Sequence, residues 1–300
     1  MKKNDYSPIA IFTFNRPSHL KKLLNSLSIN EEIKYSDVYF FIDVDENCKA
    51  NEEIIKLVNQ NWNFQSSNVT INQENYGVRK NITSGIDKVF SSHSSVIVLE
   101  EDLEVSKYFL NYMNKGLNLY KDNTKVWQIS GYSLDIVLNK INKAYVSSQL
   151  DCWGWATWLD RWNRFDKNFE NKIKHLGDKS INEFNLDKFN KSNYRQLELN
   201  ETEVIKTWAI FWYQDMYLNK AKTIAPINSL VKNNGFDGLG VHKSSSNFYN
   251  IKEINNNIII KFPKKIKNNN LLNFLIKSKF FKKNLFDYIS YHFKKLKLLN

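Results

Sequence analysis

Three carboxylates in a row, Glu100, Glu101 and Asp102, follow the apolar run Ser95-Val96-Ile97-Val98-Leu99. Adjacent acids repel one another unless a cation lies between them. Hard oxygen ligands suit Mg2+ or Mn2+, above all when a diphosphate supplies further oxygens. A short β-branched run ended by acids has the form of a buried parallel strand. The carboxyl end of such a strand is where an open α/β sheet binds its ligand. The same acids would also serve as a solvated turn that starts the next helix.

Two other strand ends carry chemistry. Residues 9–17 read as a strand running into a turn, with Arg16 at its carboxyl end and Ser18 placed to cap a helix. A guanidinium there either pairs bidentately with a diphosphate or makes a local salt bridge. Asp43 ends the second strand, where it can accept from a nucleotide base or ribose, or belong to an acidic loop with Asp45 and Glu46. Residues 75–81 place Gly77, Arg79 and Lys80 at a helix start, a place that favours anions. Neither the GxxxxGK[ST] nor the GxGxxG spacing is present, which argues against a phosphate loop and a dinucleotide site.

The elements that position these residues alternate. Strands at 9–14, 38–42, 69–71, 96–99 and 126–130 interleave with helices from 18, over 51–59, 78–90 and 106–120. Such alternation predicts an α/β fold with a mostly parallel central sheet covered by helices on both faces. The Trp-rich stretch at 152–162 and the polar segment to about 200 read as insertions and helices on the ligand side. A helix over 202–219, a strand over 223–231 and a glycine-punctuated loop over 234–242 follow.

Composition narrows the class. Three hundred residues with 42% hydrophobic and 14% aromatic content hold a full α/β core. Cys48 and Cys152 have no zinc or disulfide spacing and read as small buried residues. The net charge of +12 is concentrated: residues 261–300 hold eleven lysines against Asp287, a net +10, which leaves about +2 for the other 260 residues. A body so nearly neutral is not a nucleic-acid platform.

Taken together, these pieces resemble the nucleotide-sugar glycosyltransferases of the GT-A fold. The N-acetylglucosaminyltransferase I type and its bacterial polysaccharide-synthesis relatives, family 2-like, are the nearest in kind, over residues 8–245. In that family a strand ends in Glu-Asp-Asp followed by Leu-Glu-Val; here the stretch is Glu100-Glu101-Asp102-Leu103-Glu104-Val105. The resemblance implies that Asp102 holds the metal, Glu101 faces the ribose and Glu100 lies near the donor sugar. It implies further donor contacts at Phe12, Thr13, Arg16, Asp43, Gly77, Arg79 and Asn81. Trp153, Trp155 and Trp212 would line the sugar and acceptor side, although indoles at this density also build cores.

For inverting transfer one carboxylate must act as general base on the acceptor hydroxyl. Phe211-Trp212-Tyr213-Gln214-Asp215-Met216 resembles the family's Phe-Trp-Asp-Asp-Trp-Met, but without gaps its acids fall on Tyr213 and Gln214. Asp215 matches only after a shift of the helix, and Asp237 and Asp151 compete with it. His242 closes a Gly-x-Gly-x-His pattern; the resemblance makes it a second metal ligand, the alternative a structural histidine.

The expectation is a catalytic unit over 1–255, with a nucleotide-sugar half to about 130 and an acceptor side beyond it, then a basic amphipathic helical tail over 256–300. The cofactors are Mn2+ or Mg2+ and a nucleotide-sugar donor, a UDP-sugar. The acceptor is a saccharide or lipid-linked glycan of bacterial surface polysaccharide or lipooligosaccharide synthesis, and no nucleic acid is involved. The tail either packs on the body or binds an anionic membrane surface, which would place the chain in the cytoplasm at the inner face of the plasma membrane. The competing readings are a non-catalytic membrane or polyanion-binding protein on the same fold, and a two-carboxylate glycoside hydrolase.

Overall fold

The computed structural model describes residues 6–45, 49–134, 142–149, 151–186, 192–237, 248–249, 251, 254, 256, 260–268 and 270–282. β1 (Ile9–Thr13), β2 (Asp37–Ile42), β3 (Ser66–Ile71) and β4 (Ser95–Glu100) run parallel in the spatial order β3-β2-β1-β4. Helices α1 (Pro17–Ser28), α2 (Lys49–Val58) and α3 (Gly77–Phe90) make the crossovers. Pro17 starts α1, where its missing N–H costs nothing, and Leu20, Leu23, Leu24 and Leu27 form one buried stripe.

β5 (Leu103–Val105) and α4 (Phe109–Tyr120) follow the acidic turn. β6 (Val126–Ser130) and β9 (Lys222–Pro226) share the direction of β1, whereas β7 (Ala144–Ser147) and β8 (Trp155–Trp158) oppose it. One sheet results, in the order β3-β2-β1-β4-β8-β6-β9-β7. It is the mostly parallel, helix-covered α/β sheet that the sequence predicts. Alternate strand residues feed two cores: Ile9, Ile11, Ile97 and Leu99 face one side, Ala10, Phe12, Val96 and Val98 the other.

The second half departs from the sequence reading in three places. The Trp-rich stretch is no ligand-side insertion, because β8 enters the middle of the sheet between β4 and β6. All four of its residues are buried, with Trp155 on one face and Ala156 and Trp158 on the other, so the segment has no polar face to offer water. The helix expected over 202–219 is shorter, since residues 202–208 form a turn between two helices. α7 (Ser192–Glu201) ends where Asn200 Oδ1 accepts from the Thr207 amide at 2.8 Å, and α8 (Ala209–Leu218) begins afresh. The strand expected over 223–231 breaks after Pro226, and β10 (Val231–Asn233) pairs antiparallel with β5 instead.

Short helices α5 (Leu159–Trp162) and α6 (Asp178–Phe184) complete the α8 side. α8 is apolar almost all round and is accordingly buried. After the body, Lys261 bridges to Lys143, and a helix over 270–282 buries Leu272, Ile276 and Phe280 in the same core as α1 and α4. The first part of the basic segment thus packs on the body.

Candidate active site

β1 leads outward through β2 to β3, while β4 leads into the other half of the sheet, so the strand order reverses between β1 and β4. A crevice at the carboxyl ends of such a pair is the usual ligand site of an open α/β sheet. Arg16, one residue before α1, stands at that crevice. Its Nε donates to Glu101 Oε1 at 2.9 Å and its Nη2 to Asp102 Oδ2 at 3.1 Å. Glu101 is only 3% exposed, and its Oε2 accepts from the Thr13 hydroxyl and from the Phe14 amide at 2.8 Å. Both of its oxygens are therefore engaged, and the side chain ties the end of β1 to the end of β4.

Asp102 keeps one oxygen open. Among the described residues its Oδ1 and the Nη1 of Arg16 make no hydrogen bond, while its backbone carbonyl accepts from the Asn234 amide at 2.8 Å. The β5–β10 pair brings that loop over the acidic turn. At Gly235 a Cβ would collide with Asp102 Oδ2, so the loop can approach this closely only through glycine. His19, in the first turn of α1, places Nε2 3.0 Å from Asp237 Oδ2 on the same loop, and its Nδ1 is buried without a partner among the described residues.

Three acids, Glu100, Asp102 and Asp151, hold their protons more tightly than usual. Burial raises Asp102 above the ordinary carboxylate range against the opposing pull of Arg16. Burial and then the repulsion of Asp102 lift Glu100 to about 8. Asp151 rises to about 7 by burial. The Cys152 thiol is pushed well up by burial, with Glu100 and Asp151 adding to the effect, which places all three groups in one neighbourhood. The sheet register agrees: Val98 pairs with Trp155, so residues 151–154 continue antiparallel alongside the end of β4.

No family model matches this chain, and no curated protein matches it. Among solved structures it is similar to S. aureus TarS 1-349 at 12% identity and a TM-score of 0.43, over 76% of this chain and 60% of that one. It is similar also to TarS 1-349 in complex with UDP-GlcNAc, at 14% identity and 0.42, over 73% and 55%. A third is the mannosyltransferase PcManGT from Pyrobaculum calidifontis in complex with GDP-Man and Mn2+, at 9% and 0.44, over 71% and 70%. The chain spans less than two thirds of the TarS chains it matches. At these identities and TM-scores the function has to be argued from the site itself.

The remaining expected donor contacts divide. Asp43, 4% exposed, accepts at Oδ1 from Asn72 Nδ2 (2.9 Å) and the Tyr76 amide (2.8 Å) and at Oδ2 from the Gly77 amide (2.9 Å). It caps the start of α3, which has no cap from its own N-cap residue, and Gly77 turns the chain there with φ +68°. Asn81 is buried and receives Asn72 Nδ2 at 3.1 Å. Phe12 is a core residue stacked on Phe41 at 5.0 Å, and Thr13 serves Glu101. Arg79 turns away from the acidic turn: it donates to the Thr207 carbonyl (3.0 Å) and Asn200 Oδ1 (2.7 Å), lies over Phe169, and lines a separate cleft of about 580 Å3.

Three aromatic and acidic expectations are corrected. Trp155 and Trp212 are fully buried in an indole cluster with Trp127, Trp162 and Trp208 and present no face to a ligand. The cause is β8, which carries Trp155 into the sheet and gives α8 a wall of indoles to pack on. Asp215 makes its contacts away from the acidic turn, accepting from the Asp166 amide at 2.8 Å with Lys172 Nζ 3.9 Å away. Trp153 is half-buried and stands edge-on to Tyr132, Tyr249 and Phe236, the last next to Gly235. His242 lies outside the described residues. Sequence reasoning passed over His19, although its spacing of three from Arg16 at a helix start puts both on one face.

A resident metal can be tested against these side chains. Among the described residues no group of three or more His, Cys, Asp or Glu is arranged to hold one. Mg2+ and Mn2+ are commonly held by one or two carboxylates with the rest supplied by phosphate oxygens and water. The open Oδ1 of Asp102 fits that pattern, an ion that arrives with a diphosphate.

Proposed function

We propose that this chain is a nucleotide-sugar-dependent glycosyltransferase that transfers with inversion from a UDP-sugar to a saccharide or lipid-linked glycan acceptor. The observation that carries the reading is the pairing of Arg16 with Glu101 and Asp102 at the β1/β4 reversal. Glu101 holds the guanidinium by its Nε edge, and Nη1, without a hydrogen bond among the described residues, would be free to meet an anion such as a diphosphate. Asp102 would hold Mn2+ or Mg2+ through Oδ1, and such an ion neutralises charge developing on the leaving diphosphate. Glu100, whose proton affinity burial and Asp102 raise, would face the donor sugar and hydrogen-bond one of its hydroxyls. Trp153 offers an aromatic edge at the rim, and Asp237, oriented by His19, is the general base of this reading.

A thermal-shift titration with UDP-GlcNAc, UDP-glucose and GDP-mannose, with and without Mn2+, tests it. A ligand at one hundredfold its Kd stabilises the folded state by about 2.7 kcal/mol. Wild type should show a shift that needs Mn2+, and Asp102→Asn should lose the metal-dependent part while its ligand-free midpoint stays close to wild type. Equal shifts for both proteins irrespective of Mn2+ would remove Asp102 from the reading. Release of UDP should fall far more than donor affinity in Asp237→Asn, and an active variant would return the base to Asp151.

A further inference from the structure

The helix over 270–282 has two apolar faces, and among the described residues only one is packed into the core. Leu272, Ile276 and Phe280 are 2–5% exposed and packed into the core. Leu271 and Phe274 are 64% and 65% exposed, and Phe281 is 52% exposed. At about 100° per residue these three fall within roughly 80° of one another on the face turned away from the body. Exposed lysines bracket them, with Lys264, Lys265 and Lys267 before the helix and Lys282 at its end. On α4, Leu119, 57% exposed, and Lys115 line with Phe262 a shallow groove of about 470 Å3, a further apolar surface beside a cation.

We propose that the outer face of this helix docks the protein onto an anionic lipid bilayer. Apolar side chains ringed by lysines match the two layers of such a surface, with acyl boundary beneath and anionic headgroups around it. A second copy of the chain is a poor occupant, because residues 261–300 offer eleven lysines and one acid, so two such faces repel. Among the described residues no helix is long and apolar enough to cross a membrane, so the contact is an interfacial one. The inner face anchors the helix to the body, which means that docking fixes the catalytic crevice at a set orientation to the membrane.

Co-sedimentation of the full chain with vesicles of phosphatidylcholine, with or without about one-third phosphatidylglycerol, tests the proposal independently of any transferase activity. Wild type should partition onto the anionic vesicles only, and raised salt should weaken the partition. Leu271→Ser with Phe274→Ser, and separately Lys264→Glu with Lys265→Glu, should each reduce it by roughly tenfold. All four positions are exposed, so the thermal midpoints should stay at the wild-type value. Absence of wild-type binding, equal binding to neutral vesicles, or unchanged binding of the Leu271/Phe274 variant overturns the proposal. A dimer that this variant dissolves, without vesicle binding, overturns it in favour of a second copy.

Discussion

Replacing Glu101 by Gln separates a clamp from a ligand contact. In the free protein Glu101 accepts three hydrogen bonds, from Thr13 Oγ1, from the Phe14 amide at 2.8 Å and from Arg16 Nε at 2.9 Å. A glutamine carbonyl placed at the Oε2 position can keep the first two as neutral bonds. Its NH2 then faces the Nε–H of Arg16, donor against donor. One charge-assisted bond, about 1.5–3 kcal/mol, is lost and two are weakened. Arg16 is 22% exposed, so water recovers part of the loss. The net expectation is about 2–3 kcal/mol, a fall of about 3–5 °C in the thermal midpoint. Urea unfolding of wild type, Glu101→Gln, Arg16→Gln and the double variant measures it, and the cycle should return a coupling of at least about 1 kcal/mol. A Glu101→Gln protein as stable as wild type, with only its nucleotide affinity reduced, would refute the clamp and return Glu101 to a ribose contact.

Two further outcomes follow from the same geometry. Asp43→Ala leaves the Tyr76 amide without its acceptor, while the Gly77 amide retains Asn75 Oδ1 at 2.9 Å and Asn72 Nδ2 retains Asn81 Oδ1 at 3.1 Å, so urea unfolding should show a loss of about 1–2 kcal/mol in the absence of any nucleotide. Asp151, raised from 3.8 to about 7, keeps its proton in the folded state over a range where the unfolded chain has lost it; stability should therefore fall as pH rises from about 4 to 7, and Asp151→Asn should flatten that slope in unfolding curves taken between pH 4 and 8.

The parallel half of the fold was legible because its strands are continuous apolar runs bounded by helical patterns. The acidic turn was legible for the same reason, since it interrupts the most apolar of those runs. Roles within the site were harder to read. Nothing in the sequence says that Glu101 points back to Thr13 and Phe14, or that Asp43 serves the start of α3 across an intervening strand, because both contacts join segments far apart in the chain. Trp155 and Trp212 misled for a physical reason. An indole suits a sugar face and a core equally, and only the entry of β8 into the sheet decides between them. Asp215 failed likewise: α8 is apolar on every side, so periodicity could not tell where its one acid points.

That entry of β8 has a consequence for how the chain assembles. Val98 on β4 finds its outer partner only at Trp155, after the ribosome has delivered α4, β6 and β7. Until then Val96–Leu99 is a naked, uncharged strand edge, the kind of edge that recruits strands from other chains. Truncation between β6 and β8 should therefore yield not a soluble nucleotide-binding half but an aggregating one.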